Sequence, residues 1–132
     1  MNVKDWKKII KSGETAEVEF KQSFSKDVVE TLCAFANSKG GRLLIGVTNK
    51  GVATGITIGK ETLQNWANEI KSLTAPSIIP DIEEIIIDHK LLVSLSVKEF
   101  PVKPVSFQGR YYKRIKNSNH QLSLAEINDM YM

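Results

Sequence analysis

The chain has 132 residues, 42% of them hydrophobic and 25% charged, with 18 Lys and Arg against 15 Asp and Glu for a formal charge of +3. That length fits a single domain over 1–132 and is too short for separate cofactor and substrate domains, while the ordinary composition excludes disorder and a disulfide scaffold. The lone Cys33 permits no internal disulfide, and the N-terminus lacks an uninterrupted apolar core, so a reducing, cytoplasmic setting with no membrane contact is expected.

Val3, Trp6, Ile9 and Ile10 follow helical spacing up to Gly13 and predict a short amphipathic helix. Val18 and Phe20 then alternate with Glu17, Glu19 and Lys21, predicting a strand with its apolar pair inward and its charges on the other face. Ser25 is placed to cap a helix whose buried stripe is Val28, Val29, Leu32, Phe35 and Ala36, and Gly40-Gly41 can end it. The apolar run from Arg42 to Val47 suits a central strand, and Asn49-Lys50-Gly51 would turn it into a returning strand over Val52–Ile56. Leu63, Trp66, Ala67, Ile70 and Leu73 predict a second long helix ending before Pro76. Ile82–Ile87 and Leu91–Val97 flank Asp88-His89-Lys90 as a hairpin. Beyond Pro101 and Pro104 comes a further strand, and Ser123 with Glu126 three residues later forms a capping box for a last helix. The chain ends just inside that helical pattern, as a segment of a longer regulator would. The fold class expected is α+β, with a mixed, mostly antiparallel sheet and flanking helices.

The stretch from Lys103 to Asn119 combines cations and aromatics without a single carboxylate, and Phe100 to Ala125 carries only positive formal charge. Lys and Arg there can neutralise phosphates and Tyr can stack, so Lys103, Arg110, Tyr112, Lys113, Arg114 and Lys116 are candidate nucleic-acid contacts, with Lys21 at the edge. The bland alternative is an amphipathic strand with one solvated face. Gly55-Ile-Thr-Ile-Gly59-Lys60-Glu61 is one residue short of a phosphate loop and lacks the following hydroxyl, so it is rejected. His89 and His120 have no ligand neighbours at zinc spacing. Glu14 and Glu19, beside Lys21, are the acidic group that could gather hard oxygen ligands around Mg²⁺ or Mn²⁺. Asn37 and Gly40-Gly41 serve either chain reversal, the preferred reading, or a phosphate.

Three segments in register, Glu14 to Lys21, Ala34-Phe-Ala-Asn-Ser-Lys-Gly-Gly-Arg-Leu-Leu-Ile-Gly-Val47, and Lys103 through Arg114, resemble the Schlafen AlbA-like DNA-binding domain family. The resemblance implies nucleic-acid binding in regulators of transcription, and metal-dependent RNA cleavage in some Schlafen members. It maps Glu14 and Glu19 onto two carboxylates of the cleaving members. The third falls where this chain has Thr48 and Asn49, so lost charge leans the expectation away from an enzyme, with Asn49 at most a neutral ligand. The reading expected is therefore a DNA- or RNA-binding domain without cofactor, for which a homodimer is allowed. Its alternatives are a Mg²⁺- or Mn²⁺-dependent ribonuclease using Glu14 and Glu19, and a protein-interaction or dimerisation module.

Overall fold

The computed structural model describes residues 1–131. Its elements are α1 (Val3–Ser12), β1 (Val18–Lys21), α2 (Lys26–Ala36), β2 (Gly41–Ile45), α3 (Thr62–Leu73), β3 (Thr74–Ala75), β4 (Asp81–Ile87), β5 (Lys90–Val97), β6 (Ser106–Phe107), β7 (Arg110–Ile115), β8 (Ser118–Gln121) and α4 (Leu124–Tyr131). The class is α+β, and the strands divide between two four-stranded sheets, ordered β1-β2-β5-β4 and β3-β6-β7-β8. β1 and β2 run parallel through the α2 crossover, and the ladders β2–β5, β4–β5, β3–β6, β6–β7 and β7–β8 are antiparallel.

The division into two sheets follows from α2, whose apolar residues run nearly all the way round. Val28, Val29, Leu32, Cys33, Phe35 and Ala36 are all buried. A helix apolar on every side needs cover on every side. One flank packs on Leu43, Ile45, Val93 and Leu95 of the first sheet, the other on Val105, Phe107 and Tyr112 of the second. The opposite face of the first sheet is closed by α1, where Trp6 and Ile10 cover Phe20, Leu44, Ile85 and Leu92. The layers thus run α1, first sheet, α2, second sheet.

Local chemistry sets the element ends. Asn2 and Asp5 form a reciprocal capping box at α1, at 2.9 and 3.0 Å. Asp88 and His89 both take positive φ in the two-residue turn between β4 and β5, the left-handed geometry that matches strand twist. The Ser123–Glu126 box at α4 forms as its spacing predicts.

The returning strand expected over Val52–Ile56 does not form; only a single bridge, Val47 to Ala53, remains. Gly46, Gly51 and Gly55 all have positive φ, which breaks extended pairing. The amides of Thr54 and Gly55 both donate to the Gly46 carbonyl, and Ile56 N–H joins Leu91 O, so the segment folds across the sheet end. Space requires glycine at position 46, where a Cβ would come within 2.9 Å of Leu92 Cδ2.

Candidate nucleic-acid interface

The basic segment becomes the β6–β7–β8 meander, and its alternation decides which cations meet solvent. Tyr112 and Arg114 point inward onto α2, while Tyr111 and Lys113 point outward, half-buried, and Arg110, Ile115 and Lys116 are exposed. Two of the expected contacts are therefore corrected. Tyr112 is core, its ring 6.4 Å from that of Phe107. Arg114, with a side chain only 1% exposed, is an internal tie between the sheets.

That tie has acceptors at both terminal nitrogens, while its buried Nε has no partner. Nη1 donates to Asn119 Oδ1 at 2.8 Å, and Nη2 donates to Glu19 Oε1 at 2.6 Å and Thr15 O at 3.0 Å, with Val18 O at 3.5 Å. The guanidinium lies over the Phe35 ring, 5.1 Å from its centroid. Asn119 continues the network by donating to Glu30 Oε2 and Thr31 Oγ1 on α2. β1, α2, β7 and β8 are locked together through one residue. Glu19 does lie on the face opposite Phe20, but that face meets the second sheet, so its carboxylate is nearly buried.

Of the remaining cations, Lys113 is paired with Glu126 and Lys103 with Glu99. Both acids sit just outside the acid-free stretch, one residue beyond each of its ends. The Lys113 ammonium, with the Ser123 N–H, holds the Glu126 carboxyl down at about 2. A count confined to the segment misses these partners. Lys21 Nζ stands 3.8 Å from Glu19 Oε2. Among the described residues Arg110 and Lys116 have no carboxylate partner, and they mark the two ends of β7.

Glu14 and Glu19 do come together at the free edge of β1. Glu14 Oε2 accepts the Phe20 N–H at 3.0 Å. Burial pushes the Glu19 carboxyl up from its ordinary value, opposed by Arg114 and reinforced by the Glu14 charge and hydrogen bond. Asn49 lies on an exposed turn beyond β2, and among the described residues no group of three His, Cys, Asp or Glu is placed to hold a metal ion. This donor set does not fit a catalytic Mg²⁺ or Mn²⁺, because a guanidinium already occupies Glu19 and a backbone amide occupies Glu14.

Asn37 and the double glycine are structural. Asn37 Nδ2 donates to Val105 O and Tyr112 O at 2.9 and 2.8 Å, its Oδ1 accepts Val105 N–H at 2.6 Å, and Ser38 Oγ accepts the Arg114 N–H at 2.8 Å. Gly40, at φ +78, donates its N–H to Phe35 O, and a Cβ there would meet Val97 O at 2.8 Å. Cys33 is buried, its Sγ donating to Val105 O at 3.0 Å, and burial pushes the thiol up to about 12, which makes it inert.

This architecture is matched elsewhere. The Schlafen, AlbA_2 family model covers residues 14–123. The chain belongs to that family. Among solved structures, the Schlafen AlbA_2 fold is shared with the N-terminal domain of a RecG-related protein from Nitrosomonas europaea, whose name associates it with ATP-dependent DNA helicases. That solution NMR structure has a TM-score of 0.65 at 24% identity, covering 94% of this chain and 95% of that one. The DIP2311 protein from Corynebacterium diphtheriae has a TM-score of 0.64 at 17% identity over 86% of this chain, which spans 23% of that protein's length. Among curated proteins, none matches the chain by sequence. No helix among the described residues is long and apolar enough to cross a membrane.

Proposed function

We propose that this Schlafen AlbA_2 domain binds nucleic acid through the phosphate backbone, along the exposed margin of the β6–β7–β8 meander. The observation that carries this reading is the pair Arg110 and Lys116, exposed at either end of β7 and free of carboxylates among the described residues. Six residue steps along β7 and into its turn separate them by about 20 Å, or about six steps of one duplex strand at about 3.4 Å each. Lys113 and Tyr111 lie between, and Lys103 and Lys21 are secondary contacts at the margin. Lys113 and Lys103 contribute less because each must first give up a glutamate.

Charges at the ends of a strand position a backbone without reading bases, so binding is weakly sequence-specific. A DNA target would suit the domain to a regulator of transcription; an RNA target would leave the same contacts in use. The test is a salt series on single- and double-stranded DNA and RNA with the Arg110→Ala/Lys116→Ala variant. The affinity of the variant should fall about equally for every sequence, and its log–log salt slope on duplex should drop by about one per lost contact. Unchanged affinity and slope would show that the interface lies elsewhere.

A further inference from the structure

α1 carries a second concentration of positive charge, on the far side of the first sheet from the β7 meander. At 100° per residue, Lys4, Lys7, Lys8 and Lys11 fall within one arc of about 100°, opposite the apolar flank of Trp6 and Ile9, and all four are exposed. The arrangement is costly for an isolated helix. It places like charges at i,i+3 and i,i+4 four times over, each pair destabilising by about 0.2–0.5 kcal/mol, and only Lys11 lies in the last turn, where the helix dipole favours a cation. Of the four, among the described residues, only Lys7 has a carboxylate within ion-pair distance, Asp88 at 3.2 Å.

Beside the stripe runs a groove of about 570 Å³ between α1 and the loop after β2, with Lys7, Lys11 and Lys50 on its rim and Ile10, Val52 and Ile87 among its apolar lining. Gly51 holds the loop against the helix, since a Cβ there would stand 3.1 Å from Ile10 O. From Lys4 to Lys11 the helix rises about 10.5 Å, with the four charges at about 0, 4.5, 6 and 10.5 Å along the axis, so the stripe spans about three steps of one nucleic-acid strand at about 3.4 Å per charge. The apolar lining gives a sugar or base edge a place that a bare lysine row would not.

From this we infer that the α1 stripe and its groove form a second phosphodiester-backbone site, opposed to the first, so that the domain engages nucleic acid on two faces. For the identity of the polyanion the inference rests on the nucleic-acid reading above. α1 precedes the residues that define the family, so the site is a property of this chain's own N-terminal helix.

The discriminating variant is Lys4→Gln/Lys8→Gln/Lys11→Gln/Lys50→Gln, which spares the Lys7–Asp88 pair and changes only exposed side chains, with circular dichroism confirming the helix. It is compared with Arg110→Gln/Lys116→Gln and with the six-site combination, on a fluorescent 30-nucleotide single strand and the matching duplex, over a salt series. The α1 set should lower the slope by about two to three on single strand, at about 0.7 per lost phosphate, and the combination should lose the sum of both. If the natural protein and the β7 variant differ while the α1 set binds like the natural protein, the second site is wrong and the first stands. If the natural protein binds neither strand nor duplex, both readings fail, and an acidic peptide or anionic vesicle bound only through the α1 lysines would then name the true occupant.

Discussion

Arg114 shows how burial changes what a charged residue is for. Taking a guanidinium and a carboxylate out of water costs several kcal/mol per ion, and their attraction offsets this only with good geometry and saturated hydrogen bonds. Arg114 meets both conditions, apart from an Nε with no partner. Arg114→Ala should therefore destabilise the fold by about 3–5 kcal/mol in urea denaturation, while Arg110→Ala stays within about 0.5 kcal/mol. Equal, small effects would return Arg114 to the surface. Glu126 gives the pH counterpart. Its carboxyl is held below the ordinary 4.5 by Lys113 first and by Ser123 second, so its contribution to stability is fully present above the unfolded value and is lost as pH falls toward 2. In melts across that window, the advantage of the natural protein over Glu126→Gln should shrink steadily with acidification; a constant gap would mean that the pair does not form.

At the level of elements, the turn after α2 joins the two sheets. Asn37 is buried and makes three hydrogen bonds to β7 and the strand approach at Val105. Asn37→Ala would remove the partner of the Val105 N–H and the Asn37 donor to the Tyr112 carbonyl, and leave Val105 O with the weak Cys33 thiol donor, at about 1–3 kcal/mol for each group left unsatisfied. The expected result is a melting temperature lowered by several degrees with the basic strand's hydrogen-exchange protection reduced; protection retained at Tyr112 and Val105 would refute the clamp. The helices, the Asp88-His89 hairpin and the α4 cap were readable in the chain because each depends on neighbours a few residues apart. The orientation of β7 was not. Tyr111 and Lys113 on one face and Tyr112 and Arg114 on the other offer the same chemistry, and period-two alternation separates two faces without saying which one a distant helix will cover. The failed Val52–Ile56 strand has the same origin, since Gly55 lies against Lys90 and donates to the Gly46 carbonyl, residues brought near only by the fold. The lysine stripe of α1 shows its i,i+3 and i,i+4 spacing in the chain, yet the apolar positions alone drew the helix from the sequence.

Across the whole molecule, α1 and the β7 meander each carry a group of exposed cations, while at the β1 edge Glu19 is turned inward and held by Arg114, with Glu14 on the Phe20 amide beside it. A divalent ion at Glu14 and Glu19 would have to displace a guanidinium that also holds Thr15, Asn119 and, through it, α2. Metal binding there is thus coupled to opening the contact between the sheets, a cost that two carboxylates, one of them held above its ordinary value by burial, are poorly placed to offset. The expected outcome is binding without cleavage. A labelled structured RNA incubated with the protein and Mn²⁺ should stay intact over hours, and Mn²⁺ should leave the melting temperature where Na⁺ of equal ionic strength leaves it, because an ion that does not bind the native state cannot stabilise it. Cleavage that persists through purification and disappears in Glu19→Gln would show that the acidic pair works with Arg114 in place, and would replace the binding reading by a nuclease one.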